Sequence, residues 1–517
     1  MSSTSMLAYA GVVVVVYLIT LVLYRLLLHP LAGFPGPKLA AATVLYEFYY
    51  DAIKKGQYTF QIQEMHGKYG PIVRISPEEL HCNDPAFIAT LYTGGSVRRD
   101  KYKHYTNQIC LWMSSFGTTD HDLHRLRRST INRFFSKTSV SKIEPMIHEK
   151  VELLGRQLCT YVEDKNPLDL VQAFNCFSMD VITAYCFGKS ENFLENRLFR
   201  CDHSAALREM SFVGEYAKYC PYIIVLGISL PNSWITILNP AVGHYMQWQH
   251  EVRARICDII SQKDVGKPMA KDSPQATVFD GILDSKLPDQ EKTLTRLWQE
   301  LQSIIGAGTD TVSWSLSVLF FYLLNDRTVY KTLMSELENA IPNPTSQPSW
   351  NDLEKLPYLS ACINEGLRLS YGLSSRLQRI SPDGPMLYQP SDFVTASKSE
   401  YVIPQGTPVG MTSVMVHRNS KIFPNSEQFD PNRWLDAEGK VDRTLEKYML
   451  IFSKGSRQCV GINLAYAELF MATGLIFRRL GPRMKLYETQ LDDVEIRHAA
   501  FMTSPRLDSK GIRVLMG

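Results

Sequence analysis

The 517-residue chain predicts a mainly α-helical body with small β-sheets, preceded by a single N-terminal transmembrane helix. Three observations carry this. Apolar residues recur at helical spacing along most of the chain, whereas strand-like pieces are short. One stretch, LAYAGVVVVVYLITLVLYRLLL from Leu7 to Leu28, holds 22 residues with one charge, Arg25. No GxGxxG falls between a strand and a helix, and strands alternate too little with helices for a doubly wound sheet.

Taken in order, Leu7–Leu28 spans about 33 Å as a helix, enough to cross a bilayer core. The residues MSSTS before it carry no positive charge, and the run is longer than the apolar part of a cleaved signal. It therefore reads as a retained anchor. Arg25 and Lys38 lie on its C-terminal side, which places the rest of the chain in the cytosol. In HPLAGFPGPKLA, Pro30, Pro35 and Pro37 stop the helix, giving a stiff hinge. The expected organisation is 1–28 anchor, 29–40 hinge and 41–517 body. Helices are expected near 120–136, 139–163, 170–187, 243–263, 293–325, 328–340, 352–370 and 461–480. Strands are expected near 71–82, 376–390, 400–410 and 495–515, with an exposed loop at 263–275 and a Pro-punctuated link at 341–350. No second apolar run is long enough to span a membrane, so the chain is tethered to one face.

Composition narrows function. At 45% hydrophobic the chain can bury a large core, and a formal charge of +3 argues against nucleic acid as a partner. The ten cysteines form no CxxC pair, which argues against a structural zinc site.

One cysteine stands apart. FSKGSRQCVG, Phe452 to Gly461, ends a polar loop at Cys459 just before a long apolar run. At a helix start, free N–H groups and the dipole help a thiolate persist. Gly455 and Gly461 allow close backbone approach, and Arg457 offers a fork for a carboxylate. One axial sulfur plus an arginine for an acid group suits heme. A buried cysteine at a helix start is the alternative for Cys459 taken alone.

The whole stretch resembles the FxxGxRxCxG heme-binding signature of the cytochrome P-450 superfamily, matching Phe452, Gly455, Arg457, Cys459 and Gly461. The likeness extends over nearly the whole chain and is similar in style to fungal microsomal members of secondary metabolism. It implies a cytochrome P-450 fold with Cys459 as axial ligand of heme b iron.

Three further stretches fit the resemblance. AGTDT, Ala307 to Thr311, lies in an apolar helical run where Gly306 and Gly308 each cost about 1 kcal/mol relative to alanine. It resembles the family's oxygen-activation motif. That implies a widened helix turn, Ala307 and Gly308 against the heme, Asp310 and Thr311 as a proton-relaying pair, and Ile304 in the substrate pocket. EGLR, Glu365 to Arg368, says little alone, but resembles ExxR, with Arg433 of FDPNRW completing a buried ionic lock. HDLHRLRR, His121 to Arg128, resembles the propionate-binding WxxxR helix, with His124 where the family has tryptophan and Arg128 in place. Arg379 resembles the other propionate arginine. Leu373, Ser374 and Ser375 would line the pocket, joined by Phe501 and Met502. Arg125, Arg127, Arg133 and Lys454 would form a basic proximal face, with a generic solvated face as the alternative.

The resemblance implies a monooxygenase on the endoplasmic reticulum membrane. It would insert one atom of O2 into a lipophilic small molecule of terpenoid, polyketide or alkaloid type. Electrons would come from NADPH through a separate NADPH-cytochrome P-450 reductase, with cytochrome b5 as a second donor. A reductase-independent isomerase or dehydratase is the first alternative, against which the Asp310–Thr311 pair stands. A non-catalytic heme carrier is the second, which NADPH consumption would exclude.

Overall fold

The computed structural model describes residues 3–199, 202–264, 277–394 and 399–517. Of the loop expected at 263–275, residues 265–275 lie outside the described residues. Helix α1 (Ser3–Leu23) continues through one π-turn to Leu28 and buries no residue against the body. The 26 residues to Leu28 include an 18-residue stretch of mean hydropathy 2.6, which suits a bilayer span. Two later helices are also long and apolar, but 89% and 72% of their apolar windows are buried in protein, which makes them core helices.

The expected hinge is seated on the body. The Arg74 N–H donates to the Pro35 carbonyl at 2.7 Å, and Phe34 stacks on Tyr401 at 5.3 Å. A Cβ at Gly36 would lie 2.4 Å from the Arg74 carbonyl oxygen, so only glycine allows this approach. Beyond it come α2 (Tyr58–Tyr69), α3 (His121–Asn132), α4 (Glu144–Asp164) and α5 (Leu170–Phe187). Next are α6 (Asp202–Ala217), α7 (Tyr222–Ser229), α8 (Asn232–Leu238) and α9 (Pro240–Asp264). The remaining long helices are α10 (Leu294–Asn325), α11 (Arg327–Ala340), α12 (Pro357–Ser370) and α13 (Ile462–Ala472).

The first sheet holds β1 (Ile72–Arg74), β2 (Leu80–Cys82), β3 (Asp100–Lys101), β5 (Arg379–Ile380) and β8 (Val409–Gly410), in the order β1-β2-β8-β5-β3. Its β2–β8 pair is parallel and the others antiparallel. A second sheet joins β4 (Leu168–Asp169), β12 (Arg513–Met516) and β9 (Met484–Leu486). Two hairpins pair β6 (Met386–Tyr388) with β7 (Tyr401–Ile403), and β10 (His498–Ala499) with β11 (Thr503–Ser504).

Helix α10 is the axis of the core and packs on α5, α9, α12 and α13. Helix α5 runs over the expected residues because Asp169 caps its first turn and Gly188, in the left-handed region, ends it. The helix expected at 139–163 is broken at Ile143, where Pro145 opens a new first turn. The one expected at 352–370 restarts at Pro357 for the same reason.

Candidate active site

The cysteine loop is shaped by its glycine. Gly455 has φ +71°, and a Cβ there would lie 2.2 Å from the Thr93 carbonyl oxygen. The need for glycine is thus to press the loop onto residues 92–93. The Cys459 N–H donates to the Phe452 carbonyl at 2.8 Å, and the Phe452 ring packs on Tyr466 of α13 at 5.4 Å. Cys459 is exposed by area yet enclosed by protein, so it borders an internal space. A Cβ at Gly461 would meet only the Cys459 Sγ, at 3.9 Å.

The expected help from a helix start is weaker than the spacing suggests. Helix α13 begins three residues later, at Ile462, and burial pushes the Cys459 thiol up, with the Gly461 N–H and Arg128 opposing. A coordinated metal cation would deprotonate it outright.

Around the cysteine loop, basic side chains crowd without anionic partners. Arg457 donates to the carbonyls of Thr118 (2.6 Å), Thr119 (2.6 Å) and Asp120 (3.0 Å). Arg379 donates to the carbonyls of Leu377 and Gln378, each at 3.0 Å, and to Ser453 Oγ at 3.2 Å. Arg128 reaches the Gln458 carbonyl. None of these is ion-paired to a carboxylate among the described residues, and burial drives the Arg457 pKa down to about 9, with Arg379 adding repulsion. His124 is 3% exposed, its Nδ1 has no partner among the described residues, and burial with the nearby cations holds the ring neutral. The Arg457 Nε is equally unpartnered. A buried cationic cluster with orphaned polar atoms fits an acidic group such as the heme propionates.

The sequence reading missed Lys101. It lies opposite Arg379 across β3–β5, is 6% exposed and donates to the Phe116 carbonyl; burial, with repulsion from Arg457, Arg379 and Arg128, pushes its pKa well below the usual lysine value. No local motif marks it; only strand pairing brings it there. Arg127 is corrected in the other direction. It turns inward to Glu291 at 2.7 Å and is 6% exposed, so it is no part of a basic face. Arg125 and Arg133 are exposed, and Lys454 is half-buried, donating to the Glu446 carbonyl at 3.0 Å.

Along α10 most residues are buried, but Ala307 is exposed and Asp310 and Thr311 are partly so, which marks an internal space along that side. Ile304, 7% exposed, lies one turn earlier on the Ala307 face. The helix runs unbroken, without the expected widened turn, and Thr311 Oγ1 donates to the Ala307 carbonyl at 2.6 Å. Gly308 is corrected from the heme face. A Cβ there would lie 2.8 Å from Ile182 of α5, so this glycine lets two core helices close up. Burial raises the Asp310 carboxyl to about 7, with Arg208 opposing. Such an acid both gives and takes protons near neutrality. A cavity of about 40 Å³ lies beside it, lined also by Asn175, Arg208, Ser313 and Met502.

The lock is fully formed. Arg368 donates to both oxygens of Glu365, at 2.7 and 2.8 Å, and Arg433 donates at 3.0 Å. Trp434 Nε1 (2.9 Å) and the Asp430 N–H (2.9 Å) also donate to Glu365, a pair the sequence did not reveal. Of the expected pocket residues, Leu373, Ser375, Phe501 and Met502 are partly exposed, and Leu373 bridges to Met502. Ser374 is corrected. It is 0% exposed and its hydroxyl donates to the Ala500 carbonyl at 3.2 Å, which pins the C-terminal hairpin.

A cysteine bordering an internal space with buried arginines nearby is an arrangement that suits a heme-thiolate protein. The chain belongs to the cytochrome P450 family, whose model matches residues 35–508, and it is a monooxygenase with heme as cofactor and a redox partner as electron source. It is 42% identical to the cytochrome P450 monooxygenase sdnE of Sordaria araneosa, over 99% of this chain and 98% of that protein. It is 39% identical to the tryptophan 6-hydroxylase fscE of Fusarium equiseti (98% and 96% covered). It is 38% identical to the N-acetyltryptophan 6-hydroxylase ivoC of Emericella nidulans (97% and 96% covered).

Proposed function

We propose that this chain is anchored in the endoplasmic reticulum membrane through residues 1–28, with 29–40 as hinge and 41–517 as a cytosolic catalytic domain. It hydroxylates a lipophilic secondary metabolite of terpenoid, polyketide or alkaloid type. Electrons come from NADPH-cytochrome P-450 reductase, with cytochrome b5 as second donor. Relatives named for hydroxylating tryptophan and N-acetyltryptophan support an aromatic or nitrogenous substrate among these.

Heme b, when bound, supplies oxygen activation. The chain's own residues do the rest. Cys459 would supply the thiolate sulfur that holds the heme iron, and Arg128, Arg379, Arg457 and Lys101 would neutralise the propionates, with His124 as a neutral hydrogen-bond partner. Asp310 collects a proton from the cavity beside it and passes it to Thr311. Thr311 takes it on a lone pair and releases in exchange the hydrogen that it otherwise donates to the Ala307 carbonyl, so the hydroxyl ends as it began. Glu365, Arg368 and Arg433 hold the chain beneath the cysteine loop. The observation that carries this reading is Cys459 facing an internal space beside three buried or half-buried arginines and Lys101, none of them ion-paired to a carboxylate among the described residues. Metabolite profiling of a strain lacking this gene tests the substrate class: an accumulating intermediate one oxygen poorer than the wild-type product is expected, and an unchanged profile opposes it.

A further inference from the structure

Tyr105, Phe116 and Phe501 form one aromatic cluster, with ring centroids 6.0–6.3 Å apart. The Tyr105 hydroxyl meets Ser375 Oγ at 3.4 Å. Behind these two lies a cavity of about 10 Å³, lined also by Asp51, Gln108, Glu215, Lys218 and Gln378. It has room for one water-sized group.

The charges around it do not balance. Lys218 Nζ contacts Asp51 (2.7 Å), Glu47 (3.5 Å) and Glu215. Arg376 contacts Glu79 (3.0 Å), Asp51 (3.4 Å) and Glu47. Four carboxylates thus share two permanent cations, with every one of these side chains at most 6% exposed. His104, 3.4 Å from Glu47, adds a cation only when protonated. Burial keeps the neighbouring Tyr58, Tyr105 and Tyr219 phenols protonated, so they add no further charge.

The unsatisfied atoms show what is missing. Gln378, 1% exposed, lines the cavity and donates to Glu79 at 2.8 Å, leaving its Oε1 without a partner among the described residues. The Glu79 Oε2 is unpartnered too. The Gln378 orphan on the cavity wall is an acceptor, and the unpartnered Tyr219 hydroxyl does not line the cavity, so the cavity lacks a donor there and the surrounding carboxylates favour a positive one. Burial raises the Glu215 carboxyl to about 8 against the pull of Lys218 and raises Glu79 as well against Arg376, so bound protons relieve the excess until a cation takes their place.

We propose that this bay seats the protonated amine of a lipophilic substrate, whose apolar body runs past Tyr105 and Phe501 toward Cys459. The proposal rests on the reading above that Ser375 and Phe501 border the substrate pocket. The ammonium donates to Gln378 Oε1 and to the Asp51 and Glu215 carboxylates, displacing the Glu215 proton.

Calorimetric titration of the purified full-length protein in detergent, at neutral pH, compares phenethylamine with phenethyl alcohol. The amine is expected to bind about tenfold more tightly, and Glu215→Gln and Asp51→Asn are each expected to reduce that preference below about threefold while the alcohol affinity holds. Equal affinity for the two probes in the wild type overturns the proposal without recourse to a variant. A preference retained in both variants also overturns it, because amine binding to iron would give the same preference and would not depend on these residues. A protein that prefers the amine but shows no thiolate signature in its reduced carbon monoxide complex would sink the proposed function and leave the bay intact.

Discussion

Replacing Glu365 with alanine removes the one carboxylate on which the lock closes. Glu365 and Arg368 have fully buried side chains, and Arg433 is 7% exposed. Deleting one partner of a buried pair costs about 3–5 kcal/mol, because the other charge stays buried. Here two guanidiniums lose their anion, and the Trp434 and Asp430 N–H groups lose an acceptor, each worth about 1–3 kcal/mol. Relaxation and non-additivity trim the sum, so a loss of about 5 kcal/mol is expected. Against a total stability of about 5–15 kcal/mol, that removes a third or more of it. Urea unfolding followed by circular dichroism measures it, with Glu365→Gln expected to lose less because it keeps shape and some acceptors. A loss below about 1 kcal/mol in Glu365→Ala would refute the reasoning. The pH dependence gives a second reading. Burial alone would raise the Glu365 pKa, but the Arg368 hydrogen bonds and the two guanidiniums hold it below the ordinary carboxylate value. Its stabilisation is therefore present above the unfolded pKa and lost as pH falls through the folded one, and Glu365→Gln should flatten that acid limb.

Thr311→Ala should keep heme and substrate binding but release peroxide in place of product, since a positioned proton donor contributes about 10²–10⁴-fold; peroxide and product per NADPH measure this, and unchanged coupling would oppose the relay. Lys101→Met should speed heme loss about tenfold, read by transfer to apomyoglobin, because a charged hydrogen bond is worth about 1.5–3 kcal/mol. Burial holds His417 neutral, down to about 3, so the folded state resists protonation and stability should fall as pH drops from the unfolded value near 6.5 toward 3, a slope that His417→Gln should reduce. Protein lacking residues 1–28 should still bind anionic vesicles through Tyr222, Leu226, Trp234 and Ile237, which are 62–81% exposed; loss of all binding on truncation would show that α1 is the sole attachment.

That last surface shows where the sequence stopped being readable. Helices α5 and α10 were legible because long apolar runs carry their own caps, Asp169 and Gly188 for one and Thr293 for the other. Helices α7 and α8 were not, because short apolar pieces between prolines have no clear period, and their exposed faces emerge only once neighbours are placed. The cysteine loop and the lock were visible as spaced motifs. Lys101, Trp434 and His417 were invisible, since each reaches its place through strand pairing or a long-range hydrogen bond. Gly308 and Ser374 were misread for a related reason: a motif fixes which residues are present, but the helix face and the hairpin contact fix where they point.

The central claim is that Cys459 is the thiolate ligand of heme. The difference spectrum of the dithionite-reduced protein with carbon monoxide tests it most directly, on wild type and Cys459→Ala purified side by side. The account predicts the red-shifted Soret band of thiolate ligation in the wild type and its loss in the variant. The same band at full strength in Cys459→Ala would contradict it.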